Sequence, residues 1–216
     1  MKYRAVLFDL DGTLLDTLAD LTDAMNVALV KLGCPIHTAQ ECRFFVGDGV
    51  TNYALRALPE SRRDEASVAE CVKLMRAHYR EHWADKTQPY DGIRDLLKAL
   101  AASVVTTAVL SNKPDDFTQA VVARYFADTS FAAVRGARSG AALKPDPAAA
   151  LEIAQQIRIA ADEFLYVGDT DTDMQTARAA GMFAVGAVWG FRPPEELLAN
   201  GAQSLIARPS ELLKLL

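Results

Sequence analysis

Three apolar runs, each stopping on a polar residue, constrain this chain more than any other feature. Ala5-Val6-Leu7-Phe8 stops at Asp9, Val104 to Leu110 stops at Ser111-Asn112, and Phe164 to Val167 stops at Gly168-Asp169. Runs without polar alternation are the pattern of strands buried on both faces of a parallel sheet. Phe183 to Val188 reads as a fourth. Helical patterns lie between them. Ile93, Leu96, Leu97 and Leu100 keep helical spacing, Ala148 to Ile157 follows the helix-opening prolines Pro145 and Pro147, and Met174 to Ala180 stops before Gly181. A short edge strand over Ser204-Leu205-Ile206-Ala207 and a helix from Pro209 to Leu213 close the chain. Strands alternating with helices predict an α/β fold, a parallel sheet with helices on both faces.

One region interrupts that alternation. From about Thr17 to Trp83 there is helical periodicity and no convincing strand. Leu18, Leu21, Met25, Ala28, Leu29 and Leu32 lie on one stripe, which ends at Gly33 with Pro35 close behind. Val68, Cys71, Val72, Met75 and Tyr79 form a second. The expectation is a helical body over 16–84, inserted into a sheet-bearing part made of 1–15 and 85–216.

Composition narrows the function classes. Half of the 216 residues are hydrophobic, enough for a sizeable core, and the net charge is −5. A protein that tracks a nucleic-acid backbone or an anionic membrane surface needs a basic face, so neither partner is expected. Cys34, Cys42 and Cys71 form no CxxC pair, which suits a reducing cytosol. The first apolar run is too short for a signal-peptide core, and no stretch approaches the roughly 18 apolar residues of a membrane span. A cytoplasmic protein is expected.

The chemistry sits where the runs end, because open α/β sheets bind ligands outside the carboxyl ends of their strands. Asp9 and Asp11 are two apart on an extended segment, so their side chains point the same way. A carboxylate that attacks phosphorus needs a second acid to protonate the leaving oxygen and later to take a proton from water. Gly12 permits a sharp turn. Taken alone, Leu10-Asp11-Gly12-Thr13 also suits a hairpin turn between two apolar runs. Gly168-Asp169-Thr170-Asp171-Thr172-Asp173 is a second carboxylate cluster at a strand end. Asp9 and Asp169 could supply the few carboxylate oxygens that Mg²⁺ takes, with Asp173 in support. The same acids would equally cap a helix. Ser111-Asn112-Lys113 offers a hydroxyl and backbone N–H groups suited to phosphate oxygens. Lys144 could place a point charge beside them. His78-Tyr79-Arg80-Glu81-His82 matches a zinc-peptidase pattern, but His37 is the one further histidine and the segment reads as a polar helical face.

In this order, the four groups Asp9-Leu10-Asp11-Gly12-Thr13, Ser111-Asn112, Lys144 and Gly168 to Asp173 resemble the signatures of the haloacid dehalogenase superfamily, over nearly the whole chain. The resemblance implies a Rossmann-like core, a C1-type helical cap at 16–84 and an Mg²⁺ cofactor. It makes Asp9 the nucleophile and Asp11 the general acid and base, whose backbone carbonyl also meets the metal. Ser111, Asn112 and Thr13 would contact the substrate, and Lys144 would neutralise charge near Asp9. Asp9, Asp11, Asp169 and Asp173 would make up the metal site. Dehalogenases and phosphonate-cleaving members lack an acid at the Asp11 position, so its presence points to phosphatases and phosphomutases. Ser111-Asn112-Lys113-Pro114, Lys144-Pro145-Asp146-Pro147 and Val188-Trp189-Gly190-Phe191-Arg192 look most like the phosphoglycolate phosphatase group. A small phosphate ester, 2-phosphoglycolate foremost, is the substrate this implies, with a β-phosphoglucomutase-type phosphomutase or another sugar-phosphate phosphatase of the superfamily as the alternative. Gly47, in Phe45-Val46-Gly47-Asp48-Gly49-Val50, resembles the cap's substrate loop and also fits an ordinary helix-helix turn. Relatives usually carry a glycine just before the second strand. Here that place holds Leu100-Ala101-Ala102-Ser103, and a different helix-to-strand turn is expected.

Overall fold

The strands follow the apolar runs closely. In chain order they are β1 (Ala5–Phe8), β2 (Leu15–Asp16), β3 (Gln88–Pro89), β4 (Thr106–Pro114), β5 (Ala133–Ala137), β6 (Phe164–Gly168), β7 (Phe183–Ala187) and β8 (Ser204–Ile206). Six of them form one sheet in the order β5-β4-β1-β6-β7-β8, with every pairing parallel, while β2 and β3 pair separately. β1 is central, between β4 and β6, and all four of its residues are buried. On one face, Leu7 joins Leu110, Ile153, Tyr166, Met174 and Leu197 in a single apolar cluster. The residues that alternate with these, Val6, Phe8 and Val109, are also fully buried. Both faces of the sheet are therefore covered, which is why its strands read as unbroken apolar runs.

The computed structural model describes residues 2–216 and separates into two compact units. One is Asp16–Gln88; the other is the chain up to Leu15 together with Pro89–Leu216. The first holds α1 (Leu18–Lys31), α2 (Ala39–Cys42), α3 (Gly49–Ala57) and α4 (Glu65–His82). α1 buries Leu21, Met25, Ala28 and Leu29, and α4 buries Val68, Cys71, Met75 and Tyr79. These two stripes meet, with Cys71 Sγ 3.7 Å from Met25 Sδ. The sheet-bearing unit holds α5 (Ile93–Ala102), α6 (Asp115–Tyr125), α7 (Ala148–Ile157), α8 (Asp171–Ala179) and α9 (Pro194–Ala199). Among the described residues, no helix is long and apolar enough to cross a membrane.

Some local expectations need correction. β4 does not stop at Leu110. It continues through Ser111, Asn112 and Lys113 to Pro114, and its pairing with β5 shifts register between Leu110 and Pro114. β5 was not expected, because its sequence Ala-Val-Arg-Gly-Ala has no apolar run and two of its five residues are buried. α6 was also not expected; it buries Thr118 beside Phe117, Val121 and Val122, so its stripe is not purely apolar. The closing helix is a 3₁₀ helix, Pro209–Lys214.

The turn before β4 is not the different one expected. Val104 N–H bonds to Ala101 O (3.1 Å) and Val105 N–H to Leu100 O (3.0 Å), the Schellman pairing of an ordinary helix end. After α8 the same two bonds recur, from Gly181 to Arg178 and from Met182 to Ala177, with Gly181 in the left-handed position at φ 72°. Val104 occupies that position at φ 57° while 90% exposed, so a β-branched residue takes the steric penalty with no burial to offset it. Val104→Gly should therefore stabilise the protein by about 1 kcal/mol, read as a raised urea midpoint at constant m-value. An unchanged or lowered midpoint would show that the left-handed strain is absent.

Candidate active site

Asp9 follows β1 directly, and its backbone N–H bonds to Val167 O of β6 at 2.9 Å. The chain then turns sharply, with Leu10 O accepting from the backbone N–H groups of Leu14 and Leu15, each at 3.0 Å. Asp9 and Asp11 therefore flank a bend and do not lie in one continuous strand. Each meets its own lysine. The turn needs Gly12 twice over: its φ is +95°, and a Cβ there would overlap the Asp169 carboxylate. Gly190 closes in from another side, where a Cβ would overlap Asp169 Cβ.

The centre of the site is one buried ammonium between two buried carboxylates. Lys144 Nζ donates to Asp9 Oδ1 and to Asp173 Oδ1, each at 2.7 Å, and its side chain is 3% exposed. Asp173 is held from behind. Its Oδ2 accepts from the N–H groups of Asp169 (3.2 Å) and Thr170 (3.1 Å) and from the Thr170 hydroxyl (2.7 Å). Asp173 thus caps the start of α8 and faces the lysine at once, so the two readings of this cluster coexist. Tyr166 OH adds a bond to Asp173 Oδ1 at 3.3 Å. Asp169 is fixed by the Thr13 hydroxyl on Oδ1 (2.7 Å) and by the Phe191 N–H on Oδ2 (2.8 Å). Asp171 opens α8 half-buried.

Burial pushes the Asp9 carboxyl well above the ordinary carboxylate range. Asp173 and Asp169 push it further, against the opposing pull of Lys144. Burial likewise raises Asp169 to about 7, with Asp173 adding to it and the Phe191 and Thr13 hydrogen bonds pulling back. For Lys144, burial opposes the charged form, but Asp173 and Asp9 outweigh it and hold the ammonium well above its usual pKa. Three buried acids thus face one direct lysine partner. The uncompensated negative charge fits a divalent cation. Among the described residues, Asp9, Asp169 and Asp173 are the group able to hold one, with one oxygen from each lying within 4.8 Å of the others. Hard carboxylate oxygens suit Mg²⁺, so the residues present fit the metal that the family resemblance implies.

β4 brings in the remaining groups. Asn112 clamps the backbone of Lys144 from both sides: its Nδ2 donates to Lys144 O (3.1 Å), and Lys144 N–H donates to its Oδ1 (2.9 Å). The peptide after Lys144 is cis. Ser111 Oγ accepts from the Lys113 N–H at 3.2 Å. Lys113 Nζ lies 2.9 and 3.0 Å from the two Asp11 oxygens, with the lysine side chain 4% exposed.

The sheet-bearing unit therefore gathers Asp9, Lys144, Asp169, Asp173 and Thr13 into one bonded network. Ser111 and Asn112 stand beside it on β4, and Asp11 stands on Lys113. Thr13 reaches Asp169 with its hydroxyl, which places it against a carboxylate. Gly47 belongs to the other unit, just before α3, at φ 131°. Sequence reasoning did not foresee the Lys113 pairing, the Asn112 clamp, Tyr166 behind Asp173, or Trp189 Nε1 on Thr13 O (3.0 Å). The one local signal was Lys113 itself, a lysine at a strand end beside the candidate phosphate-binding serine. On α4, His78 and His82 stack with ring centroids 4.3 Å apart, and His82 Nδ1 lies 2.8 Å from Asp85 Oδ2. They belong to no metal-holding group among the described residues.

Comparison with known proteins gives a consistent picture. Residues 6–187 match the model of the haloacid dehalogenase-like hydrolases. A phosphoglycolate phosphatase from Xanthomonas campestris pv. campestris (strain 8004) is 33% identical over 210 residues, covering 97% of this chain and 94% of that protein. One from Chromobacterium violaceum is 32% identical over 214 residues, covering 98% and 96%. A provisionally named phosphoglycolate phosphatase from Lactobacillus delbrueckii subsp. bulgaricus superposes with a TM-score of 0.92 at 32% identity, over 100% of this chain and 98% of that one.

Proposed function

The chain belongs to the haloacid dehalogenase-like hydrolases, and from that premise we propose that it is an Mg²⁺-dependent phosphatase acting on a small phosphorylated metabolite, 2-phosphoglycolate foremost. The observation that carries this reading is the pairing of Asp9 with Lys144 among two further buried acids, with Asp11 two residues away.

The chemistry runs in two displacements. An Asp9 carboxylate oxygen attacks phosphorus, the bond to the substrate's ester oxygen breaks, and Asp11 gives that oxygen a proton. Water then attacks the aspartyl-phosphate, Asp11 takes a proton from it, and inorganic phosphate leaves with Asp9 restored. Lys144 keeps Asp9 oriented and offsets charge that builds on the phosphoryl oxygens. The Ser111 hydroxyl and the Asn112 backbone N–H are the donors for those oxygens; the Asn112 side chain is already committed to Lys144. Bound Mg²⁺, held by Asp9, Asp169 and the Asp11 carbonyl with Asp173 in support, supplies positive charge that lets a carboxylate approach a phosphate. The helical segment 16–84, with Gly47, is assigned to substrate choice as a cap, and 1–15 with 85–216 to catalysis.

A panel of metabolite phosphates with Mg²⁺ tests this, with 2-phosphoglycolate expected to be turned over best. Absence of phosphate release from every member, and from p-nitrophenyl phosphate, sinks the proposal. Asp169→Ala should raise the Mg²⁺ concentration for half-maximal rate at least about tenfold. A wild-type Mg²⁺ titration in that variant removes Asp169 from the metal site.

A further inference from the structure

The mechanism above leaves Lys113 without a task, although it is a buried cation touching the proposed acid. Its side chain is 4% exposed, that of Asp11 is 13% exposed, and both Asp11 oxygens lie within hydrogen-bond distance of the one ammonium. A lysine is rarely buried this deeply unless paired, and a two-point contact fixes the carboxyl rotamer where one bond would leave it free to swing. Lys113 is itself anchored. It lies in β4, its N–H is bonded to Ser111 Oγ, and its carbonyl accepts from the Thr118 hydroxyl of α6 at 3.1 Å. Gly136 of β5 leaves room for this arrangement, since a Cβ there would come 2.7 Å from Lys113 O. Asp11, by contrast, sits on a sharp turn, bridged to Leu15. The rigid member of the pair is the lysine.

We propose that Lys113 is a positioning residue for Asp11, tethering its carboxyl group to the end of β4 so that the acid is presented to the leaving oxygen. The proposal rests on the phosphatase reading for the identity of that oxygen. A misplaced acid slows only those steps that need its proton. A leaving group that departs well unprotonated, such as p-nitrophenolate, does not need it, whereas an alkyl alcohol does. Asp11 also serves the attack of water, a step common to both esters, so loss of the tether shows as increased dependence on the leaving group in kcat/KM, which reports the first displacement alone. General damage to the fold or to phosphate binding would not produce that.

The experiment compares 2-phosphoglycolate with p-nitrophenyl phosphate in wild type, Lys113→Met, Lys113→Arg, Asp11→Asn and the Lys113→Met/Asp11→Asn double variant. Lys113→Met should lower kcat/KM on the alkyl ester roughly 10- to 100-fold and on the aryl ester less than about threefold. Lys113→Arg should recover part of the alkyl rate, and the double variant should be no slower than Asp11→Asn, because the lysine acts through the acid. Equal losses of kcat/KM on both esters, no loss on either, or additive losses in the double variant overturn the tether. Lysine side-chain NMR keeps it testable without turnover. The Lys113 ammonium signal should be visible in wild type, protected by its pairing, and lost in Asp11→Asn. A signal indifferent to Asp11 overturns the proposal whatever the activity. If wild type hydrolyses neither ester, the phosphatase reading fails, while the NMR signal still decides whether the pair exists.

Discussion

Asp9→Asn should lower Mg²⁺-dependent turnover at least about 10³-fold and abolish acid-stable, hydroxylamine-sensitive phosphate incorporation into the protein. An amide matches the carboxylate in shape but lacks the charge and lone-pair basicity to attack phosphorus, so the covalent step is lost while the cavity is kept. The same change has a second consequence that runs the opposite way. Asp9 is pushed well up by burial and by Asp173 and Asp169, so its charge is carried at a cost in the metal-free fold. Removing it should raise metal-free stability by about 1 kcal/mol while weakening the stabilisation conferred by Mg²⁺. Thermal unfolding with and without Mg²⁺ measures both. A variant that keeps a tenth of wild-type turnover would place the nucleophile elsewhere.

Lys144→Met should have the largest effect on stability. Lys144 is the ammonium bonded to both Asp9 and Asp173 at 2.7 Å, in a place where its side chain is 3% exposed. Methionine keeps most of the volume, so the loss is one of charge. Breaking a buried pair by removing one partner leaves uncompensated charge behind, at a cost of about 3–5 kcal/mol. For a chain of 216 residues that corresponds to a fall in Tm on the order of 10 °C. The Asn112 clamp grips the backbone of residue 144 and survives the substitution, so the loop stays in place. Turnover should also fall roughly 10²- to 10³-fold, because the point charge beside the phosphoryl group is gone. A loss below about 1 kcal/mol would mean that the cluster is neutral without its lysine. The Lys144→Met/Asp9→Asn pair should recover part of the stability, since one of the two abandoned carboxylates is then removed.

These two predictions depend on different kinds of information in the chain. That Asp9 and Asp169 stand at strand ends was legible from the sequence, because an apolar run followed by a polar residue is a local signal of a buried strand and its edge. The same signal failed for β5, where Arg135 and Gly136 interrupt the run. It also misplaced the end of β4, where Ser111, Asn112 and Lys113 remain in the strand although they are polar. They can do so because each is satisfied there by a partner: Ser111 by a neighbouring N–H, Asn112 by Lys144, and Lys113 by Asp11. Residue 104 departs from expectation for a similar reason. The Schellman bonds of α5 are set by the helix, and the valine follows them into a conformation it disfavours.

By itself, the sequence determined the parallel sheet, the helical insertion and the polar residues that follow its apolar runs. Each depends on residues close together in the chain, through hydrophobic periodicity or through the polar residue that ends a run. Only the tertiary structure decided how the charges are shared. Lys144 bridges Asp9 and Asp173, Thr13 reaches Asp169 across 156 positions, and Asp11 meets Lys113, 102 positions distant. Partner choice among buried charges is fixed by which strand ends the sheet order places side by side. A carboxylate in the sequence carries no mark of the lysine it will meet.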